Sequence, residues 1–262
     1  AYLVAPIGTK EYVCLDAGTV HSGIEKAIEK GTFSVPSSTV LRQYIKGYCI
    51  SHAHLDHVSG LIINSPADST KTVYAIAPAM KMMQNHYFND QTWANFGDEG
   101  FGKPLKKYHF ETLSFAKTIP ISNTSMTVQA FPLSHVNPYE STAFLIKKDN
   151  NAILYLGDTG PDSVEKTTNL ADLWKAIAPL IQKQELKGIL IEVSFPNEQP
   201  DAFLFGHLTP KHLLKEMQVL AALTGKEALQ KCKIIITHLK PPAAAIQKIK
   251  QQLANLDLLE LE

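Results

Sequence analysis

Arginine is almost missing from this sequence: Arg42 stands alone among 25 basic residues. Proteins that read nucleic acids favour arginine's bidentate fork, which lysine cannot imitate. Basic and acidic residues balance at 25 each, for a formal net charge of zero. That balance suits neither a nucleic-acid surface nor a chain drawn to an anionic membrane. Long apolar runs are also lacking, and no window is long enough to span a bilayer as a helix. Cysteine is scarce and odd in number. Cys14, Cys49 and Cys232 each sit in an apolar run, "YVCLD", "GYCIS" and "KCKIII". Three buried thiols are expected, not a disulfide framework. No repeat, low-complexity stretch or linker divides residues 1–262, so a single domain is expected.

What is present is an ordinary share of apolar residues, 45%, enough for a sizeable core. "AYLVAPIGTKEYVCLDAGT" reads as two strands around a glycine turn. The abrupt start reads as a strand entered midway, so earlier residues are expected to have been removed or left out. "GIEKAIEKG" has helical periodicity, "IKGYCIS" reads as a strand, "HVSGLIIN" as a short helix and "KTVYAIA" as a strand. "PAMKMMQNHYF" reads as a helix with Pro78 in its first turn. Residues 89–107, rich in glycine, aspartate and aromatics, read as a long loop of the kind that often serves function. Strands return in "MTVQAFPLSH" and in the hairpin "TAFLIKKDNNAILYLGDTG", then alternate with helices to "CKIIITHLK". This order suggests two sheets with helices outside them.

"SHAHLDH" crowds His52, His54, Asp56 and His57 together. Such groups are costly to bury without partners, and a metal ion satisfies all four. Four times a strand ends and a metal-binding residue type follows: His52, His135, Asp158 and His238. Ligand sites in α/β architectures gather at the carboxyl ends of strands. His52 and His54, two apart in an extended segment, point the same way and with His135 offer three imidazoles to one ion. Asp56 and His57 turn to the other side and with His238 make a second set. Asp158, with two oxygens, is the expected bridge. Imidazole with carboxylate and no thiolate suits zinc, manganese or iron without choosing among them. Asp16, in "LDAG", is read as a contact that orients a histidine ligand. His21, His86, His109 and His212 are expected at the surface. Phe88, Trp93 and Phe96 in or beside the loop could stack a purine or pack the core.

"HAHLDH" with His135, Asp158 and His238 resembles the metallo-β-lactamase superfamily, which implies an α+β fold, an αββα sandwich. "HAHLDHVSGLIINSPA" resembles more closely the class II cyclic-nucleotide phosphodiesterases, as do "YFNDQTWANF", "SHVNPYESTAFLI", "LYLGDTGPDS", "LWKAIAPLI", "ILIEVSF", "FGHLTP" and "THLKP". The resemblance implies hydrolysis of cAMP or cGMP to 5′-monophosphates at two divalent ions, zinc the leading expectation. It leaves His207, before a helix capped by Thr209, beside the metals as a general acid. His207 and Asp56 are the expected catalytic residues. Zinc lactamases often use a cysteine ligand that this chain lacks. An RNA-processing phosphodiesterase of the same superfamily and a non-catalytic metal-binding module are the alternatives. Expected partners are a cyclic nucleotide, with no nucleic acid and no membrane; a homodimer stays open. A periplasmic location with a cleaved leader fits the abrupt start, and a cytoplasmic protein with a trimmed start fits equally.

Overall fold

A computed structural model of the chain describes residues 1–136 and 139–254. The chain separates into two compact units, residues 1–130 and 131–262.

The first unit carries a five-stranded sheet in sequential order, β1 (Tyr2–Val4), β2 (Tyr12–Leu15), β3 (Ile45–Cys49), β4 (Lys71–Ile76) and β5 (Tyr108–Leu113). β1 and β2 form the expected hairpin; β2 to β5 run parallel. All six residues of β4 are buried, as a central parallel strand requires. Beneath it Asp68 accepts hydrogen bonds from the Tyr48 and Tyr108 hydroxyls at 2.7 and 2.9 Å and pairs with Lys71. Burial holds Lys71 below its ordinary pKa against the pull of Asp68.

Helices Val20–Glu29 and Leu55–Asn64 fall where periodicity places them, the first starting three residues before "GIEKAIEKG". The predicted helix after Pro78 is Ala77–Met82, continued by a π-helical turn over Met83–Tyr87. A further helical segment at Ser37–Tyr44 was not expected; its polar start, "SSTV", carries no helical stripe.

Residues 89–107 contain no regular element beyond one bridge between Phe88 and Trp93. They are nevertheless secured. The Asp90 carboxylate accepts from the backbone N–H groups of Asn95 and Lys103, at 2.7 and 2.5 Å. The buried Asn95 side chain donates to the carbonyls of Glu99 and Phe101 and accepts from Gly97 N–H.

A second sheet has the order β11-β10-β9-β8-β7-β6, built from β6 (Thr118–Pro120), β7 (Thr127–Ser134), β8 (Glu140–Lys148), β9 (Asn151–Leu156), β10 (Leu186–Glu192) and β11 (Lys233–Thr237). β8 and β9 are the predicted hairpin; β9, β10 and β11 run parallel. In the second unit the helix Asn169–Gln182 buries Leu170, Leu173, Trp174, Ile177 and Ile181, one stripe at helical spacing. Each such side chain contributes about 1.5–3 kcal/mol by leaving water. The Trp174 indole N–H donates to Glu216 at 2.8 Å. A closing helix, Ala243–Ala254, was not expected from the sequence.

The three cysteines are free and buried, as expected. Burial pushes the Cys14 and Cys232 thiols up to about 12, and Cys49 also upward. The native protein is therefore expected to be silent to a thiol reagent at neutral pH and to show three thiols once denatured. A fast-reacting native cysteine would contradict this burial.

Candidate metal centre

In the first unit the chain leaves β3 extended through His52 to His54, which caps the helix Leu55–Asn64 with its carbonyl accepting from His57 N–H at 2.9 Å. The helix begins as expected, with Asp56 and His57 in its first turn. Asp16, just past β2, takes a left-handed backbone with φ of 52°. Its buried carboxylate accepts from Ser51 N–H, Ser51 Oγ and His57 Nδ1, each at 2.7 Å. The reading of Asp16 as the group that orients a histidine is met at His57. Gly18 makes the approach feasible: a Cβ there would lie 1.6 Å from the Asp56 carbonyl oxygen. Gly60 does the same on the helix side, where a Cβ would lie 2.3 Å from the Ala17 carbonyl oxygen.

His52 Nδ1 meets Ser51 Oγ at 3.0 Å, and its Nε2 stands 3.0 Å from His54 Nδ1. Two ring nitrogens this close must share either a proton or a cation. His57 Nε2 lies 3.6 Å from the exposed carboxylate of Asp56, and the His52 and His57 rings are 4.1 Å apart. The outer ring nitrogens of His52 and His57 are thus held by protein groups, the usual arrangement around ligating imidazoles.

In the second unit Asp158 follows β9, Glu192 ends β10 and His238 follows β11, so the three share the carboxyl edge of parallel strands. His135 follows β7, and its Nδ1 donates to the Gly206 carbonyl at 2.9 Å. Asp158, 3% exposed, divides its oxygens. Oδ1 lies 3.4 Å from His238 Nε2; Oδ2 lies 3.9 Å from His135 Nε2 and 3.8 Å from His207 Nδ1. His135, Asp158 and His207 each offer a ligand atom within 4.8 Å of the others. The donor set, imidazole and carboxylate with outer nitrogens already engaged, fits a divalent cation.

Of the seven predicted ligands, the first unit carries His52, His54, Asp56 and His57, and the second His135, Asp158 and His238. His207 is buried and held by a residue that sequence reading missed. Its Nδ1 stands 2.6 Å from Glu192 Oε1 and 3.3 Å from Ser194 Oγ, while Nε2 stands 2.7 Å from Lys240 Nζ. Glu192 is itself satisfied by Thr159 N–H, Leu208 N–H and Ser194 Oγ. The signal for it was the carboxylate inside the apolar strand "GILIEVSF", which is costly to bury without a purpose.

Two expectations need adjustment. His212 is not at the surface: it is 2% exposed, and burial lowers its pKa. Thr209 occupies the cap position, but its hydroxyl bonds His212 Nδ1 at 2.8 Å and leaves the backbone uncapped. Phe88 is core, fully buried against Tyr108 and Phe110. Trp93 is part-exposed, donating to Ser65 Oγ at 3.0 Å, and Phe96 lies under the Lys107 ammonium. His21, His86 and His109 are exposed as expected, His109 pairing with Asp98 at 2.5 Å. No helix among the described residues is long and apolar enough to cross a membrane.

The fold is that of the metallo-β-lactamases, the α+β class read from the sequence. A metallo-β-lactamase fold protein from Bacillus subtilis, YhfI, superposes with a TM-score of 0.61 at 14% identity, over 96% of this chain and 83% of that one. Unliganded yeast PDE1 superposes with a TM-score of 0.86 at 23% identity, over 99% and 90%. The family model described as cAMP phosphodiesterases class-II matches residues 14–262. The 3′,5′-cyclic-nucleotide phosphodiesterase of Aliivibrio fischeri is 44% identical over 251 residues, 92% of this chain and 76% of that protein. The chain belongs to the class II cAMP phosphodiesterase family.

Proposed function

We propose that the protein hydrolyses 3′,5′-cyclic nucleotides such as cAMP to 5′-monophosphates, its two units acting as one catalytic domain. The observation that carries this reading is Asp158, whose two oxygens face different histidines at a strand edge in a chain of this family. In this reading His52, His54, Asp56 and His57 of the first unit and His135, Asp158 and His238 of the second would supply the ligands of two divalent ions. Zinc leads, and manganese or iron suits the same donors. Bound there, such ions supply Lewis-acid charge and lower the pKa of water. The chain's own groups do the rest. Asp16 fixes the His57 tautomer so that Nε2 faces inward. Glu192 anchors His207 at Nδ1 and turns Nε2 to Lys240, and in this reading the proton for the departing 3′ oxygen comes from that hydrogen-bonded His207–Lys240 pair.

Chromatography of cAMP digests tests the reaction. The expected product is 5′-AMP; 3′-AMP as the main product, or no turnover with zinc or manganese supplied, overturns the reading. Asp16→Asn tests the positioning role. It should weaken metal affinity about 10–100-fold, as loss of such outer partners typically does, while the variant still folds. Unchanged affinity in a metal titration would show that Asp16 serves only the turn.

A further inference from the structure

The buried machinery of the second unit is rich in negative charge. Asp158 and Glu192 are 3% and 1% exposed. A cyclic phosphodiester is itself an anion, so its arrival beside these carboxylates needs positive charge from the protein as well as from ions. Arginine does not supply it there. The chain's one arginine, Arg42, lines an open surface pocket with Ser38, Thr39, Gln43 and Ser69 in the first unit.

Lys240 stands in the right place. It lies two residues past His238 on the segment leaving β11 and is half-buried. Its ammonium is 2.7 Å from His207 Nε2 and 5.6 Å from the centre of the Phe195 ring. Lysine has three N–H donors, and the imidazole uses one. A lysine kept for structural neutrality would sit on a carboxylate. Among the described residues none forms an ion pair with this one, and its contacts are an imidazole nitrogen and an aromatic face, so its charge is oriented without being cancelled.

We propose that Lys240 receives the phosphate of the substrate, donating a charge-assisted hydrogen bond to a non-bridging phosphoryl oxygen beside His207. This rests on the reaction proposed above and names the protein group that meets the substrate's charge. It also accounts for a chain that handles phosphate with almost no arginine, since a single compact ammonium suffices for one oxygen.

The test uses the metal-loaded full chain and its variants Lys240→Met and Lys240→Arg, with three readouts: metal content, steady-state kinetics and binding of inorganic phosphate. Lys240→Met should keep its ions. Its KM for cAMP and its inhibition constant for inorganic phosphate should both rise about 10–100-fold, the loss expected of one hydrogen bond to a charged group. Lys240→Arg should recover most of both. Phosphate binding within twofold of wild type in Lys240→Met overturns the proposal. So does a fall in kcat alone, which would make Lys240 a support for His207, and so does loss of metal or failure of arginine to rescue. If wild type leaves cAMP untouched, the reaction reading falls, and phosphate binding with turnover of bis-p-nitrophenyl phosphate still decides the role of Lys240.

Discussion

Asp158→Ala is expected to bring the metal content down from two ions per chain towards none, and cAMP turnover with it. Removing an ordinary ligand weakens one ion; removing a carboxylate whose oxygens face His238 on one side and His135 and His207 on the other weakens both. The remaining imidazoles would also be left close together without the anion that offsets a cation in their midst. Asp158→Asn, which keeps the volume, separates loss of charge from loss of packing and should show most of the same defect. Elemental analysis after exhaustive dialysis checks both. One tightly held ion in wild type, or two retained in Asp158→Ala, defeats the bridging assignment.

His207→Ala should behave differently: both ions stay, the fold stays, and cAMP turnover falls about 10²–10⁴-fold, the usual contribution of a positioned general acid. The fold is expected to survive because Glu192 keeps Thr159 N–H, Leu208 N–H and Ser194 Oγ when the imidazole is gone. A p-nitrophenyl ester, whose leaving group departs without a proton, should lose much less. The measurement is a pair of rates beside a metal assay. Because His207 lies within ligand reach of His135 and Asp158, metal loss in the variant would make it a ligand. A wild-type rate with cAMP would make it only part of the approach to its helix.

The candidate ligands stood out because their chemistry is conspicuous. Three histidines and an aspartate in "HAHLDH" have no cheap structural use, and strand ends are read from apolar runs that stop abruptly. Asp16 was legible for a similar reason: a carboxylate directly after "YVCL" has to find a donor. The supporting groups were not. Glu192 sits within a strand pattern that reads as core, and Lys240 resembles any lysine on a loop until the fold brings it to His207. His212 was misjudged because a histidine within a helix shows its burial only through the helix's packing face, and Lys211, Lys215 and Glu216 around it are polar. The closing helix, Ala243–Ala254, is mostly alanine, lysine and glutamine, a composition without a strong apolar stripe; only Ile249 and Leu253 are buried. Asp68, buried with Tyr48, Tyr108 and Lys71, was invisible since its partners are scattered across three strands.

The irregular stretch 89–107 is held by side chains bonded to backbone, those of Asn89, Asp90 and Asn95, in place of a ladder or a helix. Between those anchors Gln91, Thr92 and Ala94 are exposed. Order and surface chemistry are therefore specified by different residues of the same segment. A sequence drifting over evolutionary time, or altered deliberately, can recolour the exposed positions while the anchors preserve the backbone. In a regular strand or helix each position carries part of both duties, so such independence is harder to obtain.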